Sequence, residues 1–260
     1  MSRIKTAFAA ADRALLIPYV TAGWPRLADT PKLLRALERG GADLIEIGIP
    51  FSDPSADGPV IQRANEQALA HGAGLRTALE AVARYRDGGG TLPTVLMGYA
   101  NPFLRMGPTP LAAACGRAGV DGVLAVDWPP LRRDPLAAAL RGRGVDRIVL
   151  VAPTSPAARV AELGRRGSGY AYYVSMQGVT GSRKLDARAA GRAARRVREL
   201  TGLPAAVGFG VRTPADCAQL GKSFDAVIVG TRLIEVIGQG RGGGAAAAER
   251  LVASCRRALG

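Results

Sequence analysis

The sequence predicts a single (β/α)8 TIM barrel, an α/β fold, from three observations. Eight short, continuous and often β-branched apolar runs occur along the chain, which is typical of parallel strands buried on both faces. A helical pattern follows each run, and this alternation implies right-handed βαβ units. Eight such units in 260 residues fit a closed barrel better than an open sheet.

The predicted strands in chain order are Leu15–Val20, Leu44–Ile49, Thr94–Gly98, Gly122–Val126, Arg147–Val151, Tyr170–Val174, Ala205–Gly208 and Ala226–Gly230. The predicted helices are Pro31–Arg39, Val60–Ala70, Leu75–Tyr85, Pro110–Arg117, Pro135–Arg141, Pro156–Arg165, Asp186–Leu200, Pro214–Leu220, Leu233–Ile237 and Ala245–Leu259. An extra amphipathic helix is predicted in the N-terminal stretch MSRIKTAFAAADRALL, where Arg13 interrupts the apolar run that a signal peptide needs. No long linker divides the chain, so residues 1–260 are predicted to form one domain.

The chain is strongly basic, with 35 Lys+Arg against 21 Asp+Glu, a net charge of +14 and a pI near 10.7. Only four of the basic residues are lysines, and the arginines are scattered without interleaved aromatic residues. A platform for single-stranded nucleic acid would need that interleaving. We therefore predict solvated helix faces and no nucleic-acid partner. No apolar run approaches the roughly 20 residues of a membrane span, so no membrane association is expected.

The cysteines and the single histidine argue against a metal site and against disulfides. Cys115, Cys217 and Cys255 are odd in number and far apart, and no CxxC pair occurs. We predict that they are free thiols in helices, which suits a reducing cytoplasm. One histidine, His71, excludes a histidine-rich metal site, and we interpret it as structural.

A carboxylate lies inside the second apolar strand. Glu46 shares a face of that strand with Leu44 and Gly48, and both faces of a barrel strand are buried. A buried carboxyl whose pKa rises toward neutral pH is a good general acid or base. The alternative is a structural glutamate paired with an arginine.

The loop after this strand contains two more carboxylates. Asp53 and Asp57 lie within residues 50–59, which also hold three prolines and Gly58. In a TIM barrel, chemistry belongs at the carboxyl ends of the strands, where this loop begins. From composition alone, both aspartates are equally well explained as turn formers.

Glycines follow the last three predicted strands. They are Gly178 and Gly181 after the sixth, Gly208 and Gly210 after the seventh, and Gly230 before Thr231 after the eighth. Backbone N–H groups freed by glycine and a helix N-terminus can bind a phosphate, and barrels often place a phosphate site after strands seven and eight. The glycines after any one strand are weak evidence for a phosphate site, but glycines after three successive strands together predict one.

Seven motifs carry a resemblance to a known family. They are PYVTAGWP near the start, IEIGIPFSDPSADGPVIQRA around the second strand, MGYANP, GVDGVLAVDWPP, YYVSMQGVTG, GFGVRTP and IVGTRLIEVI. In this order and over nearly its full length, the chain resembles the alpha subunit of tryptophan synthase. The resemblance implies cleavage of indole-3-glycerol phosphate to indole and glyceraldehyde 3-phosphate, with Glu46 as general acid–base and Asp57 as acceptor of the indole N–H.

The resemblance also assigns roles to other residues. Those expected to wall the indole are Tyr19, Met97, Tyr99, Leu124, Val126, Tyr172 and Phe209. Those expected to hold the phosphate are Gly181, Gly210, Gly230 and Thr231. Thr180 is expected to position the catalytic aspartate from its loop. Asp53 and Pro54 are expected to contact a beta subunit in an α2β2 tetramer. Pyridoxal phosphate is expected in that subunit, and no cofactor in this chain.

Three features depart from the family pattern: Trp24 in TAGWP, Met176-Gln177 after the sixth strand, and the high pI. Because of the charge, we expect a partner with an unusually acidic docking face. Two alternative functions are another phosphate-binding barrel lyase or isomerase, and a basic, non-catalytic binding protein.

Overall fold

Eight parallel strands close into a barrel in which each strand pairs with the next and β8 pairs with β1. The computed structural model describes residues 2–128, 134–174, 187–208 and 210–260. The strands are β1 Leu15–Thr21, β2 Ile45–Gly48, β3 Thr94–Gly98, β4 Gly122–Ala125, β5 Asp146–Val151, β6 Ala171–Tyr173, β7 Ala205–Val207 and β8 Ala226–Val229. The predicted fold class is confirmed, and every strand end lies within one residue of its prediction.

Helices cover the outside of the barrel. They are α1 Arg3–Ala10, α2 Thr30–Arg39, α3 Pro59–Ala70, α4 Leu75–Asp87, α5 Ala100–Met106, α6 Pro108–Ala118, α7 Pro135–Arg141, α8 Ala157–Arg166, α9 Ala187–Thr201, α10 Pro214–Gly221, α11 Thr231–Gln239 and α12 Ala245–Leu259. The predicted helices agree within two residues at each end. Helix α5 is an addition, since the sequence predicted no helix between β3 and α6.

Side chains alternate between two hydrophobic layers because the strands have a period of two. On β1, for example, Leu15 and Ile17 point into the barrel, whereas Leu16 and Val20 pack under the outer helices. The buried residues of the inner layer are Ile4, Leu15, Ile17, Leu44, Val95, Leu124, Ile148, Tyr170, Tyr172, Ala206, Ala226 and Ile228. The barrel is thus a packed core whose upper inward positions form the floor of any site at the mouth.

Helix α1 closes the amino end of the barrel. Ile4 is fully buried over Gly122, the first residue of β4, where a Cβ would lie 3.0 Å from the Ile4 Cδ1 atom. The ring of Phe8 packs against Tyr170 at a centroid distance of 5.8 Å. The predicted extra N-terminal helix is therefore present and plugs the barrel from below.

Four side chains at this same end tie neighbouring strands together in pairs. The backbone N–H groups of Leu16, Thr94, Arg147 and Ala205 donate to the side chains of Asp43, Asp121, Ser168 and Asp225, respectively, at 2.7–3.0 Å. Arginines pair with the three aspartates: Arg13 with Asp43, Arg86 with Asp121, and Arg198 with Asp225. Part of the arginine content therefore stabilises the barrel floor.

Cys115, Cys217 and Cys255 are buried free thiols in α6, α10 and α12, as predicted. Within the described ranges, no helix has both the length and the apolar character that crossing a bilayer requires.

Candidate active site

Glu46 is the second residue of β2 and lies inside the barrel, fully buried. The hydroxyl of Tyr170, on the strand-six side of the interior, donates a hydrogen bond to its Oε1 atom. Its Oε2 atom is buried, and within the described part of the chain it has no hydrogen-bond partner and no arginine pairs with this carboxyl. Burial raises the pKa of Glu46 to about 7, and the Tyr170 hydrogen bond opposes that rise. The group can therefore both give and take a proton near neutral pH.

Asp57 lies on the loop between β2 and α3, half-buried at the barrel mouth. Tyr99 donates to its Oδ2 atom at 3.2 Å and Asn65, on α3, donates to the same atom at 3.3 Å. Burial raises the pKa of Asp57 to about 6, although both hydrogen bonds lower it. The carboxylate is thus mostly charged at pH 7 and can accept a further hydrogen bond.

The loop that carries Asp57 is held by several contacts. Tyr99 accepts a hydrogen bond from the backbone N–H of Ala56 at 2.9 Å, and its ring stacks on Phe51 with centroids 5.0 Å apart. Gln62 donates to the carbonyl of Asp57 at 2.9 Å. Tyr99 itself precedes α5, and the first N–H of that helix, from Ala100, donates to Asp127 at 2.6 Å. The described partners of Asp57 are therefore fixed from α3 and from the end of β3.

Two tyrosine hydroxyls lie close to strand-end glycines beside the mouth. A Cβ on Gly48 would lie 2.0 Å from the Tyr19 hydroxyl, and one on Gly208 would lie 1.8 Å from the Tyr172 hydroxyl. Both phenols are fully enclosed, and burial raises the pKa of each, so they remain neutral hydrogen-bond donors. The charges of Glu46 and Asp57 raise both pKa values further, which shows that the tyrosines lie near both carboxyls.

The predicted apolar wall consists of residues on β3 and at the end of β4. Met97 and Leu124 are paired in register on these neighbouring strands and both point into the barrel. Leu124 is fully buried, whereas Met97 is half-buried, so Met97 lies nearer to the opening. Val126, just beyond β4, packs against the same inner layer. Together with Tyr19, these side chains present an apolar surface to the mouth.

Two of the predicted phosphate elements can be described. Gly230 caps the N-terminus of α11, whose first residue is Thr231, so free N–H groups and the helix dipole face the mouth there. Gly210 has a left-handed backbone with φ of 81°, and a Cβ there would meet nothing within 4 Å. Its glycine is thus explained by backbone conformation rather than by close packing. Three predicted residues, Thr180, Gly181 and Phe209, lie outside the described residues.

Asp53 and Pro54 lie on the outer side of the same loop as Asp57. The Asp53 side chain is exposed and accepts a hydrogen bond from Ser52 at 2.5 Å. The carbonyl of Pro54 accepts a hydrogen bond from the backbone N–H of Asp57 at 2.9 Å. A large apolar side chain, Leu104 on α5, is 50% exposed. The predicted contact residues are therefore accessible and are linked to Asp57 through one turn.

Trp24, which departs from the family pattern, is buried between two helices of the site. Its indole N–H donates to Gln67 on α3 at 2.7 Å. Its ring packs on Gly238 of α11, where a Cβ would lie 3.1 Å from the Trp24 Cη2 atom. The tryptophan thus connects the helix that carries Asn65 to the helix that begins at Thr231.

The chain is similar to proteins of one family over almost its whole length. A family model described as tryptophan synthase alpha chain matches residues 6–259. The tryptophan synthase alpha chain of Dechloromonas aromatica is 49% identical over 263 residues, which cover 100% of this chain and 98% of the relative. That of Acidovorax sp. strain JS42 is 50% identical over 244 residues, which cover 91% of each chain.

Solved structures give the same result. Tryptophan synthase subunit alpha from Legionella pneumophila superposes with a TM-score of 0.91 at 36% identity, covering 100% of this chain and 98% of that one. A structure of Mycobacterium tuberculosis tryptophan synthase superposes with a TM-score of 0.90 at 35% identity, covering 99% and 98%. By family model, sequence and fold, the chain belongs to the tryptophan synthase alpha chain family, a family of lyases.

Proposed function

We propose that this chain cleaves indole-3-glycerol phosphate to indole and glyceraldehyde 3-phosphate, as the alpha subunit of a tryptophan synthase. The observation that carries the proposal is Glu46, a buried carboxyl next to the mouth that Asp57 borders. Its pKa is about 7, and one of its oxygens has no partner among the described residues. The family assignment supplies the reaction class, and this pair of carboxyls fits its proton transfers.

The reaction needs one proton given and one taken. Protonated Glu46 gives a proton to C3 of the indole ring, which makes the ring cationic. The bond between C3 and the side-chain carbon then breaks, and its electron pair returns to the ring and neutralises the nitrogen. The side-chain hydroxyl becomes the aldehyde as its proton passes to the Glu46 carboxylate. Glu46 therefore ends protonated, as it began, and no net proton is consumed.

Asp57 stabilises the charge that develops on the ring. Its carboxylate accepts a hydrogen bond from the indole N–H, and this bond strengthens as the nitrogen becomes positive. Such an interaction accelerates the reaction because it is stronger in the transition state than in the bound substrate. Tyr99 and Asn65 both donate hydrogen bonds to its Oδ2 atom. No described residue donates to its Oδ1 atom.

The substrate's two ends fit two parts of the mouth. Tyr19, Tyr99, Met97, Leu124 and Val126 border the space for the indole ring, and Tyr172 and Phe209 complete the proposed set. The phosphate would bind the N-terminus of α11 at Gly230 and Thr231, with Gly210 and Gly181 offering further N–H groups. Thr180 would orient Asp57 from its loop.

A beta subunit is the proposed partner, in an α2β2 tetramer within the cytoplasm. The solved Mycobacterium tuberculosis relative is a tryptophan synthase, which supports a partner of this kind. Asp53 and Pro54 would contact the beta subunit. Docking would then change the position of Asp57 through the turn in which the Asp57 N–H donates to the Pro54 carbonyl. The pyridoxal phosphate would belong to the beta subunit, where indole is joined to serine.

The proposal is tested by incubating the purified chain with indole-3-glycerol phosphate, with and without a beta subunit. We expect indole and glyceraldehyde 3-phosphate in equal amounts, and faster release with the beta subunit present. The absence of indole under both conditions would contradict the proposal. A substrate panel of related sugar phosphates distinguishes another barrel lyase or isomerase.

A further inference from the structure

A line of three side chains joins the barrel floor to the proposed proton-transfer group. Phe8, on α1, packs its ring against Tyr170 at 5.8 Å and an interplanar angle of 45°. The hydroxyl of Tyr170 in turn donates to the Oε1 atom of Glu46. Phe8 is far from both residues in the sequence, and it enters the barrel from the end opposite to the substrate.

Tyr170 depends on its surroundings for its orientation. The phenol is fully buried in the inner layer, and in the described part of the chain Phe8 is the one aromatic ring packed on it. A hydroxyl–carboxylate bond weakens steeply when its geometry is lost. A shift of the ring by about one ångström would therefore change how Glu46 is held.

Phe8 is itself held independently of Tyr170. The preceding residues fix α1 to the barrel: Ser2 donates to Asp146 at 2.5 Å and Arg3 pairs with Asp121 at 2.6 Å. The other side of Phe8 lines an open cleft of about 400 Å³, with Arg13, Arg198 and Phe224 on its walls. Shortening Phe8 would therefore remove the contact with Tyr170 while α1 stays docked and no sealed void forms.

We propose that Phe8 is a positioning residue for the reaction, which sets the place of the Tyr170 hydroxyl and thereby the orientation of the Glu46 carboxyl. The inference rests on the proposed role of Glu46 as the proton-transfer group. With Oε1 held by Tyr170, the unpartnered Oε2 is the atom left to exchange protons with the substrate. Helix α1 is thus part of the active-site scaffold as well as a plug.

The hold on Glu46 has a measurable electrostatic consequence. The Tyr170 hydrogen bond lowers the pKa of Glu46 against the larger effect of burial, so a looser bond lets that pKa rise. Among the residues that the structure describes, the other titratable groups that interact with Glu46 or with its neighbouring phenols are Tyr19, Tyr172 and Asp57. The two phenols stay neutral in an assay at ordinary pH because burial raises their pKa values. A shift of the alkaline limb of the rate profile therefore reports a change in the pKa of Glu46.

The test compares indole release from about pH 5 to about pH 9, with a beta subunit present, for wild type, Phe8→Leu, Tyr170→Phe and the double variant. For Phe8→Leu we expect the alkaline limb to move up by about half a pH unit and kcat to fall roughly three- to tenfold, with KM unchanged. For Tyr170→Phe we expect a shift of about one unit. The double variant should match Tyr170→Phe, because Phe8 acts through the hydroxyl that this change removes.

A second readout does not depend on turnover. Carboxyl ¹³C NMR of glutamate-labelled protein, with the Glu46 signal assigned by its loss in Glu46→Gln, should show the same upward shift of pKa in Phe8→Leu. Val160→Ala is the matched control, since Val160 is buried in α8 of the outer layer. It should lower stability and leave both titrations unchanged.

The possible failures are separable. If the wild-type chain releases no indole with or without a beta subunit, the proposed function is wrong. If Glu46→Gln releases indole at the wild-type rate, Glu46 is not the proton-transfer group on which the inference rests. If Glu46→Gln is inactive but Phe8→Leu changes neither the alkaline limb of the rate profile nor the Glu46 pKa measured by NMR, the positioning role of Phe8 is overturned. The proposed function then stands. Additive shifts in the double variant would also overturn it, because Phe8 would then act by a route other than Tyr170.

Discussion

The hydroxyl of Tyr19 lies directly above Gly48, so close that a Cβ on Gly48 would fall 2.0 Å from it. Tyr19 and Gly48 are on neighbouring strands, and Gly48 is two residues beyond Glu46 on the same inward face. The glycine therefore makes room for a phenol that borders both carboxyls. This relationship explains a strand-end glycine by packing within the site.

Gly48→Ala should displace Tyr19 and damage the site. Overpacking of this kind is expected to cost about 1–3 kcal/mol of stability, and we expect at least a roughly tenfold loss in kcat/KM. Thermal unfolding and the rate of indole release measure the two effects. Gly116→Ala is the control, since a Cβ there meets nothing within 4 Å and Gly116 lies on the outer helix α6. Wild-type activity in Gly48→Ala would show that Tyr19 does not need its present position.

The rate should depend on pH in a bell shape. Asp57 must be charged, so activity is lost as the pH falls below its pKa of about 6. Glu46 must start protonated, so activity is lost as the pH rises above its pKa of about 7. The optimum of kcat/KM should therefore lie between these values. A rate that keeps rising to about pH 9 is incompatible with Glu46 as the initial acid.

Glu46 should make the protein less stable as the pH rises from acidic to neutral values. Its folded pKa of about 7 is above the ordinary value of 4.5, so the folded state holds a proton that the unfolded state releases. As far as this group is concerned, stability is therefore highest below pH 4.5 and falls as the pH rises to about 7. Glu46→Gln should remove this penalty, which is on the order of 3 kcal/mol.

Chemical denaturation at about pH 5 and about pH 8 checks this effect on the free energy of unfolding. Glu46→Gln should gain stability over wild type mainly at the higher pH, since the glutamine side chain cannot ionise. Equal differences at the two pH values would mean that Glu46 has an ordinary pKa.

Tyr99→Phe should impair Asp57 without removing it. The change deletes one hydrogen bond to the carboxylate and the acceptor of the Ala56 N–H. In the wild type the Tyr99 hydrogen bond lowers the pKa of Asp57, so its removal should raise that pKa. The acidic limb of the rate profile should therefore move to higher pH, and kcat/KM should fall about tenfold. Tyr85→Phe is the matched control, because its hydroxyl likewise accepts a backbone N–H, from Leu92, far from the site. Equal effects of both changes on the limb would contradict this role of Tyr99.

Docking of a beta subunit should depend on the outer side of the Asp57 loop. Leu104→Asp places a negative charge on an exposed apolar residue of α5, and Pro54→Asp places one in the proposed contact surface, where an acidic partner would be repelled. We expect each to weaken the complex at least roughly tenfold by calorimetry, and higher salt to weaken the wild-type complex because the chain carries +14. Unchanged affinity in both variants would mean that the beta subunit binds another surface of the chain.

The strands could be predicted because burial on both faces leaves continuous apolar runs in the sequence. Helix α5 was missed because it is seven residues long, contains Pro102 and has no room for a periodic pattern. Packing after β3, with Asp127 accepting its first N–H, stabilises it instead. That contact joins two loops and leaves no local signal.

In the site, too, some residues leave a signal in the sequence and others depend on contacts in space. Glu46 stands out as a charge inside an apolar strand, and the resemblance points to Asp57. Their partners depend on contacts in space: Tyr170 reaches Glu46 across 124 positions of sequence, and Asn65 reaches Asp57 only because α3 begins just after the loop. The period of two places Tyr170 on the same inward face as Tyr172, but pairing with Glu46 requires the closed barrel.

In the proposed mechanism, Glu46 moves both protons of the cleavage. The most direct measurement is the rate of indole release by Glu46→Gln in the presence of a beta subunit, with circular dichroism to show that the fold is kept. We expect a loss of at least ~2–3 orders of magnitude in kcat, as is typical of a proton-transfer group. A folded Glu46→Gln protein with a rate close to wild type would contradict it.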